Sequence, residues 1–285
     1  MPELPEVEAL SRSFDTLLRG RVVDAVTVRS IAVLKTHSPA PEALIGRAVA
    51  GCSRHGKFLD IGLPPHHLVF HLARAGWLRW KQQPSQARTA MRGPLAFVVT
   101  FLDGSALEAT EQGTEKRLAV YVVENVSDVP GIARLGIDAL DGALTPRRLG
   151  ALLHEQHGTL KKVLADQAVI AGIGNAYSDE ILHAARLSPF RPARALDDAE
   201  AAALHTAMRS VLSEAVTRVA NVEAGALKAD KRAHMRVHGR TGQSCPACGD
   251  TIREVSLSNR SFQYCPTCQT GGRVYADRRL SRLLR

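Results

Sequence analysis

The sequence lacks any long hydrophobic run and is poor in aromatic residues. No apolar stretch reaches the ~18 residues that a membrane-spanning helix needs, and aromatic residues make up only 5% of the 285 positions. The acidic start does not show the basic and then apolar pattern of a secretory signal peptide. We therefore expect a cytoplasmic protein without a membrane partner.

Cysteine is also scarce, which argues against a disulfide framework in such a chain. Four of the five cysteines form one pattern: Cys245-x2-Cys248, sixteen residues, then Cys265-x2-Cys268. This spacing predicts a tetrahedral zinc site with four thiolate ligands. Since the protein fills all four positions, the single Zn²⁺ would be structural and would stabilise a short hairpin. Cys52 stands apart, in an apolar-rich stretch, and is expected to be an inert core residue.

Positive charge is concentrated at one end of the chain. The net charge is +9, and residues 226–285 hold twelve Lys or Arg against four Asp or Glu. A basic segment of this kind is typical of proteins that bind nucleic acid. A tail that only aids solubility is the alternative.

The first half of the sequence is rich in β-strand patterns. A leading helix is predicted from apolar residues at helical spacing, with Pro5 in its first turn and Gly20 at its end. Alternating and apolar runs follow between about 20 and 125, and Asp103-Gly104 is a strong hairpin signal between two of them. These patterns predict an antiparallel β-sandwich or flattened barrel with a helix leading in.

From Thr145-Pro146 the pattern becomes helical. Helices are predicted near 145–156, 159–168 and 175–186, and a longer one begins at Asp197 or Asp198. The chain after Gly225 is basic, irregular and cysteine-bearing. Composition thus divides the chain into a β-rich part, a helical part and a small metal-binding part.

Two features suit phosphate binding. The turn Gly172-Ile173-Gly174-Asn175 precedes a helix, where free N–H groups favour an anion and Asn175 is expected to cap. Arg260 lies near the bend of the predicted hairpin, where its planar guanidinium group can grip a phosphate. An ordinary corner between helices and a solvated surface arginine are the respective alternatives.

Together these segments resemble the Fpg/Nei family of DNA glycosylases. The resemblance is carried by "PELPEVE" at the start, "HGKFL" around Lys57, "LKKVLADQ" followed by "GIGNAYSDEIL", and the paired CxxC motifs, all in the family's order. It implies an α+β multidomain fold: a catalytic β-sandwich over 1–130, a helix–two-turns–helix domain over 131–225, and a zinc finger with a basic extension over 226–285.

The resemblance also implies the activity and its residues. Family members excise oxidised bases from double-stranded DNA and cleave the abasic site by β,δ-elimination. A monomer acting on the bacterial nucleoid is expected. The implied catalytic residues are Pro2 (the nucleophile, once Met1 is removed), Glu3, Lys57 and Arg260, with Glu6 as an active-site carboxylate. The implied DNA contacts are His71, Lys161, Asn175 and Arg260.

The implied chemistry agrees with the properties of an N-terminal proline. Its secondary amine has a reference pKa near ~8, which leaves a useful neutral fraction at pH 7. The iminium ion that it forms stays positively charged without protonation, so it acidifies the neighbouring C2′ hydrogen. Glu3 would protonate the opening sugar ring. We expect the balance between Glu3 and Lys57 to leave the amine titrating near neutrality.

Several positions depart from the family pattern. Arg74 stands where many members have methionine, and "LEATEQGTEKR" replaces the Arg-Phe pair that wedges the opposite strand. The segment from Ala220 to Arg240 is short for a loop that covers a flipped purine, and the finger is closer to the Nei branch. The base preference therefore stays open among oxidised purines, oxidised pyrimidines and a bulkier lesion.

Two other functions are considered. One is a non-catalytic homologue that binds damaged DNA, and the other is a zinc-ribbon transcription or RNA-binding module attached to an unrelated enzyme. The retained Pro2, Glu3 and Lys57 argue against the first, and the second leaves the Pro-Glu start and the turn at Asn175 unexplained. The extension "TGGRVYADRRLSRLLR" after the last cysteine suggests only nonspecific attraction to phosphate.

Overall fold

The computed structural model describes residues 1–83, 94–112, 115–257 and 260–275. The chain forms two compact units. Unit 1 contains Met1–Arg134 and Val219–Lys228, and unit 2 contains Leu135–Arg218 and Ala229–Arg285. The further division of the chain into three domains, at residues 130 and 225, stays a prediction.

Unit 1 is a β-sandwich with a leading helix, as the sequence predicts. One four-stranded sheet has the strand order β1-β6-β7-β5 and the other has the order β2-β3-β4-β8, and all neighbouring strands are antiparallel. The elements are α1 (Leu4–Leu18), β1 (Val23–Val28), β2 (Gly51–His55), β3 (Phe58–Leu63), β4 (His66–His71), β5 (Gly76–Lys81), β6 (Leu95–Phe101), β7 (Ala106–Glu111) and β8 (Ala119–Val123).

Helix α1 is held by the apolar stripe that predicts it. Leu10, Phe14 and Leu18 are fully buried in the main core of unit 1, together with residues from the inner faces of both sheets. Each such side chain contributes roughly 1.5–3 kcal/mol relative to exposure. Pro5 lies in the first turn, and the chain turns away from the helix at Gly20, whose φ is +80°. Helix α1 is therefore packed against strands β2 and β3.

The predicted hairpin between β6 and β7 forms at Asp103-Gly104. Gly104 has a φ of +81°, and the Asp103 carboxylate accepts the backbone N–H of Ser105 at 3.0 Å. Both features are the local chemistry for which aspartate and glycine are favoured in turns.

A segment from later in the chain completes unit 1. Leu227 is fully buried in the core of the sandwich. The indole N–H of Trp77 donates to the Ala224 carbonyl at 3.0 Å, and the Lys228 ammonium lies 4.6 Å from the centre of the Trp77 ring. The first part of the short segment from Ala220 to Arg240 is thus docked on the β-sandwich.

Unit 2 contains the predicted helices and the metal-binding hairpin. Strands β9 and β10 pair in parallel, and β11 and β12 pair in antiparallel fashion. The elements are β9 (Ile137–Asp138), α2 (Pro146–His154), α3 (Leu160–Leu164), β10 (Ile170–Ala171), α4 (Asn175–Ala184), α5 (Asp198–Val219), α6 (Leu227–His234), β11 (Arg253–Leu257), β12 (Arg260–Tyr264) and α7 (Pro266–Thr270). Helices α5 and α6 reach into the segment that belongs to unit 1.

Local signals account for the starts of α2 and α5 but not for the end of α3. The Thr145 hydroxyl accepts the Arg148 N–H at 3.2 Å, and the Asp197 carboxylate accepts the Glu200 N–H at 2.8 Å, so both predicted caps are confirmed. Helix α3 is shorter than the predicted 159–168, because Asp166 accepts the N–H of Ala168 in a turn. Among the described residues, no helix combines the length and hydrophobicity needed to cross a bilayer.

Candidate functional site

The start of α1 holds Pro2, Glu3 and Glu6 in a fixed arrangement. All three residues are buried. Glu3 is the N-cap; its side chain accepts the N–H of Glu6, while its own N–H donates to the Glu6 carboxylate at 2.8 Å. This reciprocal capping box satisfies two N–H groups of the first turn. The capping box therefore fixes the backbone conformation that follows Pro2.

Lys57 lies in the two-residue turn of the hairpin between β2 and β3. Gly56 takes a φ of +55° there, which favours glycine. Arg54 ties this turn to α1, because its guanidinium group donates to the Gly56 carbonyl at 3.0 Å and to the Glu8 carboxylate at 2.8 Å. Burial raises the pKa of Glu8, but its hydrogen bond and charge interaction with Arg54 prevail, and the net pKa is lowered. The helix that carries Glu3 and the turn that carries Lys57 are thus joined by an ion pair.

His71 ends β4 opposite Phe58, and the two ring centres are 4.7 Å apart. Burial, followed by the positive charge of Lys57, lowers the pKa of His71 to about 4. The ring is therefore neutral at pH 7 and offers one N–H donor. Lys57 and His71 form a pair of phosphate-binding candidates within unit 1.

In unit 2, the glycine-rich turn is clamped by Gln167. The Gln167 amide accepts the N–H of Gly172 at 3.0 Å and donates to the carbonyl of Ile173 at 2.7 Å. Gly172 has a φ of +101°, a conformation that favours glycine. The N-cap of α4 is Gly174, so the prediction that Asn175 caps the helix is wrong; Asn175 is its first residue. The reason is that Gly174 is still extended, with φ −126° and ψ −158°, so the helix begins one residue later.

The Asn175 side chain projects towards the zinc-finger hairpin. Its amide nitrogen donates to the Ser261 hydroxyl at 3.2 Å. Its amide oxygen is buried and has no hydrogen-bond partner among the residues that the structure describes. Buried polar atoms are rarely left unpaired, so this oxygen marks a place where a ligand or water can be accommodated. Arg260, the neighbour of Ser261, is exposed and pairs with Leu257 at the start of β12. Residues 258 and 259 lie outside the described residues.

Lys161 lies inside unit 2. Its side chain is only 1% exposed, and its ammonium contacts the Asp179 carboxylate and the Ser261 carbonyl. It also lies 4.9 Å from the centre of the Phe262 ring. A phosphate contact by Lys161 stays a prediction, and it would require this buried pair to open.

Asp179 and Glu180, which the sequence did not single out, connect α4 to the hairpin module. Asp179 accepts the N–H of Gln263 at 3.2 Å and pairs with His238 Nδ1 at 2.8 Å. Glu180 accepts the backbone N–H groups of residues 236–238 at 2.8–3.0 Å. Burial outweighs these hydrogen bonds and raises the pKa of Glu180. The only signal in the sequence is a pair of carboxylates on a helix that is otherwise buried.

The four cysteines predicted to bind zinc come together. Their sulfur atoms all lie within 4.8 Å of one another, with Cys245 to Cys268 at 3.9 Å and Cys248 to Cys265 at 3.4 Å. A tetrahedral centre with bonds near 2.3 Å separates its sulfur atoms by about 3.8 Å. The cysteines therefore fit one structural Zn²⁺. Cys52 lies against the core of unit 1, and burial is the main cause that raises its pKa to about 12, as expected for an inert thiol.

Some of the positions that depart from the family pattern lie among the described residues, and others do not. Arg74 is exposed on the loop between β4 and β5, beside Ala73, whose φ is +48°. In the segment "LEATEQGTEKR", residues 113 and 114 lie outside the described residues. Most of the C-terminal extension does too, since the description ends at Tyr275.

Known protein domains match the β-sandwich, the helical part and the zinc-finger hairpin of this chain. Residues 1–114 match the formamidopyrimidine-DNA glycosylase N-terminal domain, 135–224 match the formamidopyrimidine-DNA glycosylase H2TH domain, and 242–271 match the zinc finger found in FPG and IleRS. The formamidopyrimidine-DNA glycosylase of Moorella thermoacetica is 35% identical over 269 residues, which cover 90% of this chain and 94% of the relative. A formamidopyrimidine-DNA glycosylase-like protein of Mycobacterium tuberculosis is 56% identical over 160 residues, which cover 56% of this chain and all of the relative.

Solved structures agree. The crystal structure of MutM (Fpg) from Thermus thermophilus has a TM-score of 0.79 at 30% identity and covers 94% of this chain and 98% of its own. Lactococcus lactis Fpg bound to DNA with an abasic site has a TM-score of 0.81 at 22% identity, covers 94% of this chain and 99% of its own, and supports the fold alone. The predicted fold class, family and zinc finger are confirmed. The chain belongs to the formamidopyrimidine-DNA glycosylase family.

Proposed function

We propose that this protein is a DNA glycosylase that removes oxidised bases from double-stranded DNA and then cleaves the abasic site. One observation carries the proposal: Pro2 and Glu3 stand at the buried, capped start of α1 in a chain whose relatives are named formamidopyrimidine-DNA glycosylases. Formamidopyrimidine bases are therefore the first substrate class to test. Since those relatives are bacterial, we expect the protein to act on bacterial chromosomal DNA. We also expect it to be a monomer, and light scattering would check its mass.

Pro2 is the proposed nucleophile once Met1 has been removed. A base inside a duplex is out of reach, so the nucleotide must first be flipped out. Helix α1 begins two residues after Pro2, and the positive end of its dipole would disfavour the protonated form of the Pro2 amine. The nitrogen lone pair attacks C1′ of the deoxyribose. The bond from C1′ to the base breaks, and its electron pair leaves with the base. The base takes up the proton that the attached proline nitrogen loses, so the nitrogen regains a lone pair.

Glu3 is the proposed proton donor for the next step. It protonates the ring oxygen as the C1′–O4′ bond opens, and the nitrogen lone pair forms the iminium ion. Loss of a C2′ proton then expels the 3′ phosphate, and a second elimination expels the 5′ phosphate. The Glu6 carboxylate accepts the backbone N–H of Glu3 and so helps to orient the Glu3 side chain. The buried position of both residues limits competing proton exchange with water.

The other site residues are proposed to hold the DNA backbone. Lys57 and the neutral His71 would bind phosphate in unit 1, and Asn175 and Arg260 would do so in unit 2. Bound Zn²⁺ would stabilise the fold of the module that carries Arg260. These phosphate contacts would contribute affinity rather than base choice.

The nucleophile is tested by trapping with borohydride on DNA that contains a lesion. Protein with a removable N-terminal extension should give no covalent adduct until the extension is cleaved off, because only then is the Pro2 amine free. Peptide mapping should place the adduct on Pro2, and Pro2→Gly should reduce trapping strongly. An adduct that forms before cleavage, or that maps to Lys57, would show that another amine is the nucleophile.

Arg260 is tested by the salt dependence of DNA binding. Loss of one phosphate contact lowers the magnitude of the slope of log K against log salt by about 0.9. Arg260→Ala should show this change on damaged and undamaged duplexes alike. Arg253→Ala removes the same charge from an exposed position on the same hairpin and is the matched control. Equal slopes for the two variants would contradict the assignment.

The non-catalytic alternative predicts binding without cleavage. Incubation of the cleaved protein with a duplex containing a single abasic site separates the two functions. Strand nicking that depends on Pro2 supports the enzyme, and tight binding with an intact strand supports a damage-binding protein. A panel of lesion duplexes then identifies the base that is released.

A further inference from the structure

The last full turn of α4 places a histidine against the metal centre. His183 is eight residues after Asn175 and is only 6% exposed. Its Nε2 atom lies 3.2 Å from the sulfur of Cys245. His183 is not part of the four-cysteine cluster. It therefore contacts a ligand of the metal rather than serving as one of the four ligands.

The chemistry of the sulfur decides the direction of this hydrogen bond. A cysteine that binds zinc is a thiolate and has no proton to donate. The ring nitrogen must then carry the proton and donate it to the sulfur. This selects the tautomer of neutral His183 that is protonated on Nε2.

The environment of Cys245 explains why a donor is needed there. The Zn²⁺ ion with four thiolates carries a net charge of −2, and Cys245 is only 3% exposed. Cys248, in contrast, is exposed and can accept hydrogen bonds from water. The backbone N–H of Cys245 is already bonded to the Asp250 carbonyl at 2.7 Å. His183 supplies a donor on the buried side of the centre.

We propose that His183 is a positioning residue of the zinc centre, whose Nε2–H donates to the Cys245 thiolate and slows the loss of the metal. Donors that orient metal ligands typically change metal affinity by about 10–100-fold when removed. The contact also joins the metal to the helix that begins at Asn175. The proposal concerns metal retention, so it can fail or hold independently of the glycosylase assignment.

The test separates hydrogen bonding from packing by using two substitutions. His183→Phe keeps an aromatic ring but removes the donor, whereas His183→Gln retains an N–H group at a similar reach. Zinc release from the full chain is followed with a chromogenic chelator. We expect zinc to leave His183→Phe about 10–100-fold faster than the unaltered protein, with His183→Gln largely restored. His154→Phe, at an exposed position on α2, is the control and should match the unaltered protein.

Two results would overturn the proposal. One is unaltered zinc release from His183→Phe, and the other is equal loss from the Phe and Gln variants, which would indicate packing alone. If the variants do not fold, NMR of the unaltered, zinc-loaded protein with ¹⁵N-labelled histidine still decides. We expect the Nε2 atom of His183 to be protonated, and a ring protonated only on Nδ1 would refute the hydrogen bond.

Discussion

Replacing Lys161 by methionine removes the cation of a buried ion pair while keeping most of the aliphatic side chain. Lys161 and Asp179 are 1% and 0% exposed, so little water can replace the lost partner. Removing one member of a buried pair typically costs about 3–5 kcal/mol, because the other charge is left uncompensated. Asp179 keeps its contacts with His238 and the Gln263 N–H, which places the expected loss near the lower value.

This loss should be visible as a fall in thermal stability. At roughly 2–4 °C per kcal/mol for a chain of this size class, a loss of about 3 kcal/mol lowers the Tm by about 6–12 °C. Denaturant titration of Lys161→Met should give the same free energy difference. In the double variant with Asp179→Asn the two effects should be less than additive, because the residues form one pair. Lys162→Met, at the exposed neighbouring lysine, should leave the Tm nearly unchanged.

DNA binding by Lys161→Met distinguishes a positioning role from a phosphate contact. The buried pair predicts weaker binding, because the Ser261 carbonyl beside Arg260 loses its partner. It also predicts an unchanged salt slope, since no phosphate contact is lost. A direct contact instead predicts a slope smaller by about 0.9. A variant as stable as the unaltered protein, with that smaller slope, would refute the buried role.

Two further predictions concern unit 1. The pKa of His71 is about 6.5 in the unfolded chain and about 4 in the folded protein. Between these pH values the unfolded state binds more protons, so the stability of the fold falls as the pH drops from 6.5 to 4. Between pH 7 and 4.5 the unaltered protein should lose up to about 2.5 kcal/mol more stability than His71→Gln in urea titrations; an equal loss in the two proteins would contradict the low pKa. At Gly131 an added Cβ would lie 2.4 Å from the Phe58 ring, whereas at Gly142 it would meet nothing within 4 Å. Gly131→Ala should cost about 1–3 kcal/mol by overpacking, measured against Gly142→Ala, and equal stabilities would show that the ring moves freely.

Features that depend on a few neighbouring residues were predictable from the sequence. The Asp103-Gly104 turn, the Thr145 and Asp197 caps and the paired cysteine knuckles all form as predicted. In each case the chemistry that selects the structure lies within a few positions of the residue concerned. The start of α4 is the exception, because the clamped turn before it moved the N-cap to Gly174.

Features that depend on distant parts of the chain were not predictable. Lys161 and Ser261 are a hundred residues apart in sequence, yet the ammonium of one contacts the carbonyl of the other. A motif position identifies the residue but not the direction of its side chain. The Asp179 contacts with the hairpin and the His183 contact with Cys245 likewise depend on tertiary packing. They arise because the β11–β12 hairpin and its metal centre pack against α4.

Helix α4 should tolerate no change in length. Four residues of α4 contact the module that follows: Asn175 contacts Ser261, Asp179 contacts Gln263 and His238, Glu180 contacts residues 236–238, and His183 contacts Cys245. A helix turns by about 100° for each residue. One alanine inserted after Ala176 would therefore rotate Asn175 away from the three residues that follow it. The number of residues between Asn175 and His183 is fixed by the contacts at both ends.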